Sequence, residues 1–485
     1  MAVLLIVSES GPPPADSPLA RSVRGTDAGG FATFDAAPNV IATLMADSST
    51  MLAEGAITRL VDHLSTHPDL EALYGDSNVG PATDATALRP AWSPTRLLTM
   101  PTDLDHLVVR GRHAAGSLAD RIDALAGAPA DRIGHVPEVM VRTPAPPELD
   151  LAARRALERA AAARSVALEP IRANRFRLTP AAVDAVSVII PTAATTGADG
   201  RPLVEAAIAA CLATDVGELE VLLVVGDECR VDPTTLTADP RVRAVRRPPG
   251  EWNFSAAVNL GILAASHPTV LVLNDDVELI ASDWIARMAA HLADPTVGAV
   301  GALLLYPDLT CQHVGMVTDD AFPLHPFVGR TVDQLEVLDA DLAHDRIAVT
   351  AACLLARRAD LLAIGGFSEE LPFGFNDVDL CFKLHRAGHR VVVEPSARLI
   401  HHESASRPPV THAWEWDRFI GRWGDVVDPW YHPGYHRPDD PDDRRRNADH
   451  LPPSRPCAGP PRTASVRSRV HHARLGAPEP ADGAR

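Results

Sequence analysis

Three short segments, far apart in the sequence, carry carboxylate and imidazole side chains that could act on one substrate. They are Asn274–Asp276, Asn376–Asp379 and His401–His402. Carboxylate oxygens suit Mg²⁺ or Mn²⁺, which are commonly shared with phosphate oxygens, and a histidine beside such a cation can be a further ligand. Another carboxylate nearby could act as a general base. The first and third segments could therefore supply ligands to a divalent cation, and the second could supply a base.

The first segment, with Asn274, Asp275 and Asp276, directly follows the apolar run Val270–Leu273. Such a run is typical of a strand buried on both faces of a parallel sheet, and ligands of these sheets bind at the carboxyl ends of the strands. Two carboxylates in that crevice repel each other unless a cation or buried donors balance them. The alternative is a solvated acidic turn that caps the next helix, and the local sequence leaves both interpretations open.

The second segment begins a helical pattern that Gly388 ends as a C′ residue. We expect Asn376 to cap this helix and Asp377 to lie in its first turn, where the helix dipole favours the ionised carboxylate that a general base needs. The alternative is that Asp377 and Asp379 only complement the dipole.

The third segment ends an apolar strand on His401 and His402, next to Glu403. A lone histidine is more often a hydrogen-bonded structural residue, but two histidines near other acidic groups favour a metal site. His313, in Cys311–Gly315, is a further candidate without an obvious partner.

Apolar runs and helical patterns alternate around these segments. Strands are expected at Val186–Ile190, Leu219–Val225, Val242–Arg246, Val270–Leu273 and Val297–Leu305, and helices at Pro202–Ala213, Ser255–Ala265 and Asp283–Ala293, the last capped by Ser282. This order predicts a three-layer α/β domain with a mainly parallel sheet.

Composition argues against several classes of protein. The net charge of −18 argues against general nucleic-acid binding, because a phosphate backbone needs a basic surface. No apolar run reaches the ~18 residues of a membrane-spanning helix. The start, Met1–Ser8, lacks the basic region of a signal peptide, and the 6 cysteines form no C-x-x-C pair. We therefore expect a cytoplasmic protein.

Familiar nucleotide and hydrolase motifs do not occur in the sequence. A G-x-x-x-x-G-K-[ST] loop, a G-x-G-x-x-G turn after a strand and a G-x-S-x-G elbow are all missing. P-loop, dinucleotide-binding and serine-hydrolase chemistry are therefore not expected.

Four motifs follow one another in a distinctive order: Val186–Thr192, Asn274–Asp276, Phe375–Leu380 and His401–Ser406. As a set they resemble the inverting glycosyltransferases of family 2, which have the GT-A fold, and above all the rhamnosyltransferase-like enzymes of O-antigen and cell-wall polysaccharide assembly. Intervening stretches fit as well: Trp252–Ser255, Asn259–Gly261, Val297–Gly301, Tyr306–Asp308, Thr350–Cys353 and Gly365–Phe367. The resemblance runs from about residue 186 to residue 435.

The resemblance implies roles for individual residues. Asp276 would bind the divalent cation, Mg²⁺ or Mn²⁺, on the donor diphosphate, His401 would complete that site with His402 in reserve, and Asp377 would be the catalytic base. The residues expected around the donor are Pro191, Thr192, Asp227, Asn253, Asn259, Asn274 and Asp275, and those expected towards the acceptor are Asn376, Asp379, His402 and His313.

One motif departs from the family pattern. Relatives have Val-Asp-(Asn/Asp)-Gly-Ser after the second strand, with the aspartate meeting the nucleotide, whereas this chain has Val225–Cys229 reading Val-Gly-Asp-Glu-Cys. Asp227 is the substitute that the sequence offers.

The N-terminal part resembles the second half of another GT-A domain. The matching stretches are Ile41–Ser49, Glu54–Ile57, Leu73–Asp76, Pro90–Leu98, His106–Val109 and His135–Val139. We therefore expect a degenerate, truncated glycosyltransferase-like domain with a linker helix (Pro147–Ala167) over residues 1–180, the GT-A glycosyltransferase domain over residues 181–436, and a disordered tail over residues 437–485.

The activity implied is transfer of a sugar, with rhamnose as the first candidate, from a dTDP- or UDP-linked donor to a hydroxyl of a polysaccharide or lipid-linked acceptor. A lipid-linked acceptor would bring the protein to the inner face of the membrane. A catalytically inactive nucleotide-sugar or glycan-binding protein is the alternative that the altered Gly226–Asp227 loop favours. A nucleotidyltransferase would need a basic loop where Pro191–Gly197 has none, and a processive synthase would need Gln where Phe419 precedes Arg422-Trp423.

Overall fold

The apolar runs of the chain pair into two large β-sheets, one in each half of the sequence. The computed structural model describes residues 3–7, 40–45, 49–79, 86–87, 89–103, 106–111, 117–143, 148–197, 200–229, 231–319, 322–402 and 412–430. The tail expected from residue 437 onwards lies outside these ranges.

The first sheet belongs to the N-terminal half. Its strands are β1 (Val3–Val7), β2 (Val40–Met45), β3 (Met51–Leu52), β4 (Ala72–Val79), β5 (Thr86–Ala87), β6 (Leu107–Arg110) and β7 (Ile133–Thr143). They lie in the order β1-β2-β6-β4-β7-β3, with β5 paired to β4. The helices of this half are α1 (Ala56–Thr66), α2 (Pro94–Thr99) and α3 (Leu118–Ala126), and two 3₁₀ turns lie at Pro101–Asp103 and Ala130–Arg132.

A helix and a hairpin connect the two sheets. Helix α4 (Leu151–Ala162) is shorter than the expected Pro147–Ala167, because the Asp150 side chain caps it by accepting from the Ala153 N–H at 2.7 Å. The hairpin of β8 (Leu168–Arg172) and β9 (Arg175–Leu178) follows.

The second sheet belongs to the C-terminal half. Its strands are β10 (Ala185–Pro191), β11 (Glu218–Val225), β12 (Val242–Arg246), β13 (Thr269–Leu273), β14 (Val277–Leu279), β15 (Val297–Leu305), β16 (Cys311–His313), β19 (His344–Arg346), β20 (Cys353–Arg357) and β21 (Arg390–His401); β17 (Val317–Asp319) and β18 (Phe322–Leu324) form a separate hairpin. The order is β12-β11-β10-β13-β20-β15-β21-β14, with β16 beside β15 and β19 beside β21.

This second sheet is mixed. Parallel pairing, as expected, joins β10 to β11 and β13, and β11 to β12. Strand β20 then runs antiparallel between β13 and β15, which the apolar pattern could not reveal because a strand buried on both faces looks the same in either direction.

Helices cover the second sheet, and they include those expected at 202–213, 255–265, 283–293 and from Asn376 onwards. They are α5 (Val204–Leu212), α6 (Pro233–Leu236), α7 (Phe254–Ala264), α8 (Trp284–Leu292), α9 (Val332–Val337), α10 (Arg358–Ala363), α11 (Asn376–Arg386) and α12 (Ala413–Trp423). Gly261 lets α7 approach β10 closely, because a Cβ there would lie 2.3 Å from the Ile189 side chain. The expected cap Ser282 is wrong: the N-cap of α8 is Asp283, whose carboxylate binds Arg287 Nε at 2.7 Å instead of capping the backbone.

The two sheets share one topology. Strands β1, β2, β6, β4, β7 and β3 have the same chain order and the same sequence of parallel and antiparallel pairings as β10, β13, β20, β15, β21 and β14. Among the described residues, the first sheet has no counterpart of β11 and β12.

Polar contacts join the halves between α2 and β19. The Asp345 carboxylate accepts hydrogen bonds from Ser93 Oγ and, at 2.5 Å, from Arg390 Nη1. Arg390 Nη1 also donates to Thr95 Oγ1 at 3.0 Å, and Thr99 Oγ1 donates to the Ala343 carbonyl at 3.1 Å. The N-terminal half is thereby fixed to the edge of the second sheet at β19 and β21.

Candidate active site

A cleft of about 410 Å³ opens at the carboxyl ends of β10 and β13, as the strand rule predicts. Of the residues expected at the site, those that line it are Pro191, Thr192, Asn274, Asp275, Asn376 and Asp377. Its other walls come from Ala193, Thr195, Glu228, Trp252, Phe254, Thr350, Ala351, Ala352 and Phe373. The size is that of a small-molecule site.

Asp275 is buried at the floor of this cleft. Thr192 Oγ1 donates to Asp275 Oδ2 at 2.6 Å and accepts from the Ala194 N–H at 2.8 Å, which ties the loop after β10 to the loop after β13. Burial raises the pKa of the Asp275 carboxyl to about 6, the Thr192 hydrogen bond opposes this, and the charge of Asp276 adds to it. A cation at this floor would favour the ionised form.

Asp276 and His401 meet behind Asn274. Strand β14 pairs antiparallel with the end of β21, and this register puts Val277 opposite His401. Asp276 Oδ1 then lies 3.1 Å from His401 Nε2, and Asn274 Nδ2 lies 3.1 Å from the same nitrogen. The structure therefore brings the first and third predicted segments together.

The donor set at Asp276 and His401 fits a divalent cation that is shared with a substrate. Asp276 is 4% exposed, and its Oδ1 accepts no hydrogen bond from the described residues. A buried carboxylate oxygen without a donor is costly, and a cation would compensate it. No group of three or more His, Cys, Asp or Glu side chains in the described ranges forms a metal cage, so further ligands would be phosphate oxygens and water, as is usual for Mg²⁺.

Asp377 lies in the first turn of α11, as expected, and faces the cleft. The expected cap is wrong: Phe375 is the N-cap residue, with φ 60, and Asn376 is the first residue of the helix. A positive φ is strained for an aromatic residue, and stacking of the Phe375 ring on Phe419, with centroids 5.0 Å apart, holds it there. Ala351 N–H donates to Asp377 Oδ2 at 3.3 Å, which leaves the partly exposed carboxylate free to meet a ligand.

Asp379 lies on the same helix but away from the cleft. Its carboxylate is fully buried and accepts hydrogen bonds from Arg422 Nη1 at 2.6 Å, Trp423 Nε1 at 2.9 Å and Ser368 Oγ at 2.6 Å. These contacts tie α11 to α12, so the structure gives Asp379 a packing role.

A charged pair lies at one end of the cleft, in the loops that follow β11 and β12. Arg247 Nη2 binds Glu228 Oε2 at 2.5 Å, and the Arg247 guanidinium lies over the Trp252 ring, 5.5 Å from its centroid. Glu228 and Trp252 line the cleft, whereas Asp227 is exposed and does not. In the loop after β11, the acidic residue that lines the cleft is therefore Glu228 rather than the expected Asp227.

Asn253 and Asn259 hold a neighbouring loop instead of lining the cleft. Asn253 caps α7 by accepting from the Ala256 N–H at 2.9 Å and donates to the Glu369 carbonyl at 2.7 Å. Asn259 bonds the N–H and the carbonyl of Phe367 at 2.8 and 2.9 Å. Both amides fix the segment that leads into α11.

His313 and His402, the other two histidines expected at the site, do not line the cleft either. Buried His313 accepts at Nε2 from the N–H groups of Gly315 and Thr350, at 3.2 and 3.3 Å, and burial lowers its pKa well below the usual range. It therefore shapes the Thr350 wall as a neutral ring. His402 pairs with Glu278 at 2.7 Å on the surface.

Two buried polar residues at the site went unnoticed in the sequence. Gln312 on β16 contacts His401 through both ends of its amide, and Glu415 on α12 accepts the N–H groups of Phe373 and Gly374 at 2.8 and 2.9 Å. Gln312 lies next to His313 in the segment Cys311–Gly315. This proximity to a candidate residue is the one feature of the sequence that could have pointed to Gln312.

The described part of the chain contains no helix that is long and apolar enough to cross a membrane.

Curated relatives match most of this chain. An uncharacterized protein, y4gI, of Sinorhizobium fredii is 32% identical over 447 residues, which are 80% of this chain and 47% of that protein. The O-antigen biosynthesis protein RfbC of Myxococcus xanthus is 30% identical over 424 residues, 79% of this chain and 32% of that protein. This chain thus spans less than half the length of these two relatives.

The second half has a further relative of about its own size. The N-acetylglucosaminyl-diphospho-decaprenol L-rhamnosyltransferase of Mycobacterium tuberculosis is 29% identical over 252 residues, 46% of this chain and 80% of that protein. Among solved structures, a mannosyltransferase from Pyrobaculum calidifontis in complex with GDP-Man and Mn²⁺ matches with a TM-score of 0.32 and 20% identity, over 46% of this chain and 59% of that one.

The model of the family described as "Glycosyltransferase like family 2" matches residues 183–425, which are half of the 485 residues and contain the whole cleft. The chain belongs to glycosyltransferase family 2 and has the GT-A fold.

Proposed function

We propose that the chain transfers a sugar, with inversion, from a nucleoside-diphosphate donor to a hydroxyl group of an acceptor. The observation that carries the proposal is the arrangement around the cleft. Asn274 and Asp275 line one part of it, with Asp276 Oδ1 and His401 Nε2 lying 3.1 Å apart behind Asn274, and Asp377 lines another. A cleft lined by the accessible Asp377 carboxylate thus has two candidate cation ligands, Asp276 and His401, behind its lining residue Asn274.

Asp276 Oδ1 and His401 Nε2 are the atoms that would hold the cation. Mg²⁺ or Mn²⁺ bound there would neutralise charge on the leaving diphosphate. The family's use of a diphosphate leaving group suits this pair, because two protein ligands leave coordination positions for phosphate oxygens. Asp275, held by Thr192, would add negative charge beside a bound cation.

Asp377 would accept the proton of the attacking hydroxyl. The N–H groups of Ala351 and Val378 hold its carboxylate, at 3.3 and 2.9 Å, with Oδ2 and Oδ1 as the respective acceptors. A carboxylate oriented in this way at the edge of a cleft needs little rearrangement before proton transfer. The acceptor hydroxyl would lie between Asp377 and the anomeric carbon of the donor.

We propose dTDP-rhamnose as the first donor to test, with UDP-linked sugars second, and a polysaccharide or lipid-linked glycan as the acceptor. The similarity to a protein named as an L-rhamnosyltransferase and to an O-antigen biosynthesis protein supports this choice. A lipid-linked acceptor would bring the protein to the surface of the membrane that carries it.

We propose further that residues 1–180 are a GT-A-like domain that does not catalyse transfer. The shared strand order supports this, and so do two positions. Strand β7 corresponds to β21, and β3 corresponds to β14. The residue of β21 that pairs with the first residue of β14 is His401, and the residue of β7 that pairs with the first residue of β3 is Arg142. The second residue of α3 is Ala119, where α11 has Asp377. A cationic and an apolar side chain can replace neither the ligand nor the base.

A thermal-shift panel of nucleotide sugars, with and without Mn²⁺, tests the proposed function. A bound donor stabilises the folded state by about 2.7 kcal/mol at a hundredfold excess over Kd, so the correct nucleotide sugar should raise Tm, and more so with Mn²⁺. A catalytically inactive binding protein would show the same rise without donor turnover. If no nucleotide sugar raises Tm, the proposal is wrong.

A further inference from the structure

Gln312 contacts His401 through both ends of its side-chain amide. Gln312 Nε2 donates to the His401 carbonyl oxygen at 3.2 Å, and Gln312 Oε1 lies 2.6 Å from His401 Nδ1. Both residues are buried, at 7% and 8% exposure. The two bonds join the short strand β16 to the last residue of β21.

This pair of contacts fixes which way the amide points. A backbone carbonyl can only accept a hydrogen bond, so the NH₂ end of Gln312 must face the His401 carbonyl. The oxygen end must then face His401 Nδ1, and because that oxygen can only accept, Nδ1 must carry the proton.

The tautomer of His401 follows from this. With its proton on Nδ1, the neutral imidazole has a lone pair on Nε2. Asn274 Nδ2 lies 3.1 Å from Nε2, in agreement with a nitrogen that accepts. Nε2 is also the nitrogen 3.1 Å from Asp276 Oδ1, which accepts no hydrogen bond from a described residue. Asp276 Oδ1 and the lone pair of His401 Nε2 thus face each other in a buried place. A cation bound to both atoms would compensate their negative charge density.

The strand that carries Gln312 is held firmly. Cys311 accepts and donates backbone hydrogen bonds with Gly329 and Arg330, at 2.8 and 2.7 Å, and β16 pairs with β15, itself the neighbour of β21. Gln312 therefore approaches His401 from a fixed position rather than from a loose loop.

We propose that Gln312 is a positioning residue that locks His401 in the tautomer protonated on Nδ1, so that Nε2 is free to bind the divalent cation. The proposal rests on the proposed function, because that function supplies the cation. In this role Gln312 would hold His401 rather than bind the cation itself. It acts as the outer partner of a metal-binding histidine, and loss of such a partner typically weakens metal binding about 10–100-fold.

Mn²⁺ binding to the full-length protein, measured by titration calorimetry with the metal alone, tests this. Gln312→Leu removes the acceptor at Nδ1 and should weaken Mn²⁺ binding at least about 10-fold. Gln312→Glu keeps an acceptor oxygen at Nδ1 but loses the bond to the His401 carbonyl, so it should retain more of the affinity than Gln312→Leu. Gln334→Leu is the matched control, because Gln334 is exposed at the start of α9. This variant should bind Mn²⁺ with the affinity of the unmodified protein. Asp276→Asn should abolish binding.

The outcomes separate the two proposals. Equal Mn²⁺ affinity in Gln312→Leu and the unmodified protein, with binding lost in Asp276→Asn, overturns the role of Gln312 and leaves the proposed function standing. Equal binding in Asp276→Asn and the unmodified protein, or none in either, overturns the cation site and the role of Gln312 together.

A second measurement covers the case in which Gln312→Leu does not fold. ¹⁵N NMR of histidine-labelled, unmodified protein, with His401→Gln to assign the signal, reads the tautomer directly. A proton on Nδ1 supports the proposal, and a proton on Nε2 overturns it.

Discussion

Asp377 and Asp379 lie on the same turn of α11 but have opposite surroundings. Asp377 is partly exposed and lines the cleft, whereas Asp379 is fully buried against Arg422 and Trp423. One carboxylate is therefore available to a ligand, and the other is committed to the contact between two helices. Substituting each aspartate by asparagine therefore compares an expected effect on the transfer rate, at Asp377, with an expected effect on stability, at Asp379.

Asp377→Asn should lower the transfer rate by about 10²–10⁴, because the amide cannot take the proton of the acceptor hydroxyl. Donor binding and Tm should stay close to those of the unmodified protein, since Asp377 makes only backbone contacts among the described residues. Turnover assays with donor-binding titrations check this. Undiminished turnover would remove Asp377 from the role of base.

Asp379→Asn should have the reverse effect. Removing the charge of the buried Asp379 carboxylate should cost about 1–3 kcal/mol of unfolding free energy, because Arg422 and Lys383 both lose an ionised partner. Denaturant unfolding measures the change, with Asp377→Asn as the control. An unfolding midpoint equal to that of the control would contradict the packing role.

Ser93→Ala tests the contact between the two halves. The Ser93 hydroxyl caps α2 by accepting from the Arg96 N–H at 3.2 Å and donates to buried Asp345. Its loss should lower the unfolding free energy by about 1–2 kcal/mol. If the N-terminal half only supports the second sheet, the transfer rate of the folded variant should not change. A variant as stable as the unmodified protein would show that this contact contributes nothing.

Acidification should destabilise the first sheet through His63. Burial, together with the charges of the neighbouring His67 and His135, lowers the pKa of His63 to about 4. In the unfolded chain the pKa is about 6.5. Between these values the unfolded state binds the proton and the folded state does not, so stability falls as pH drops from about 6.5 towards about 4.

The matching variant is His63→Gln, which removes this titration. Its unfolding midpoint should fall less steeply over that pH interval than the midpoint of the unmodified protein. Parallel curves for the two proteins would exclude His63 as a source of the pH dependence.

The sequence was sufficient for those features that depend on local pattern. The apolar runs at β10, β11, β13 and β15 predicted their strands, and the rule for strand ends placed Asn274 and Asp275 at the cleft, to which the family resemblance added Thr192. Asp377 in the first helical turn follows from helical spacing alone.

Features that depend on tertiary contacts were not predictable. The caps assigned to Ser282 and Asn376 failed because Arg287 binds the Asp283 side chain and because Phe419 stabilises Phe375 at a positive φ. The bond between Gln312 and His401 joins strands whose order in the sheet the sequence does not reveal. Hydrogen bonds of this kind become visible only once the register of the strands is known.

The measurement that most directly tests the central claim, a cation site at Asp276 and His401 that serves the donor diphosphate, is the affinity for UDP and dTDP with and without Mn²⁺. In the unmodified protein Mn²⁺ should tighten binding of the correct nucleotide at least about tenfold, which is about 1.4 kcal/mol. In Asp276→Asn the metal should have no effect. Equal affinities with and without Mn²⁺ in the unmodified protein, or an undiminished Mn²⁺ effect in Asp276→Asn, would contradict the account.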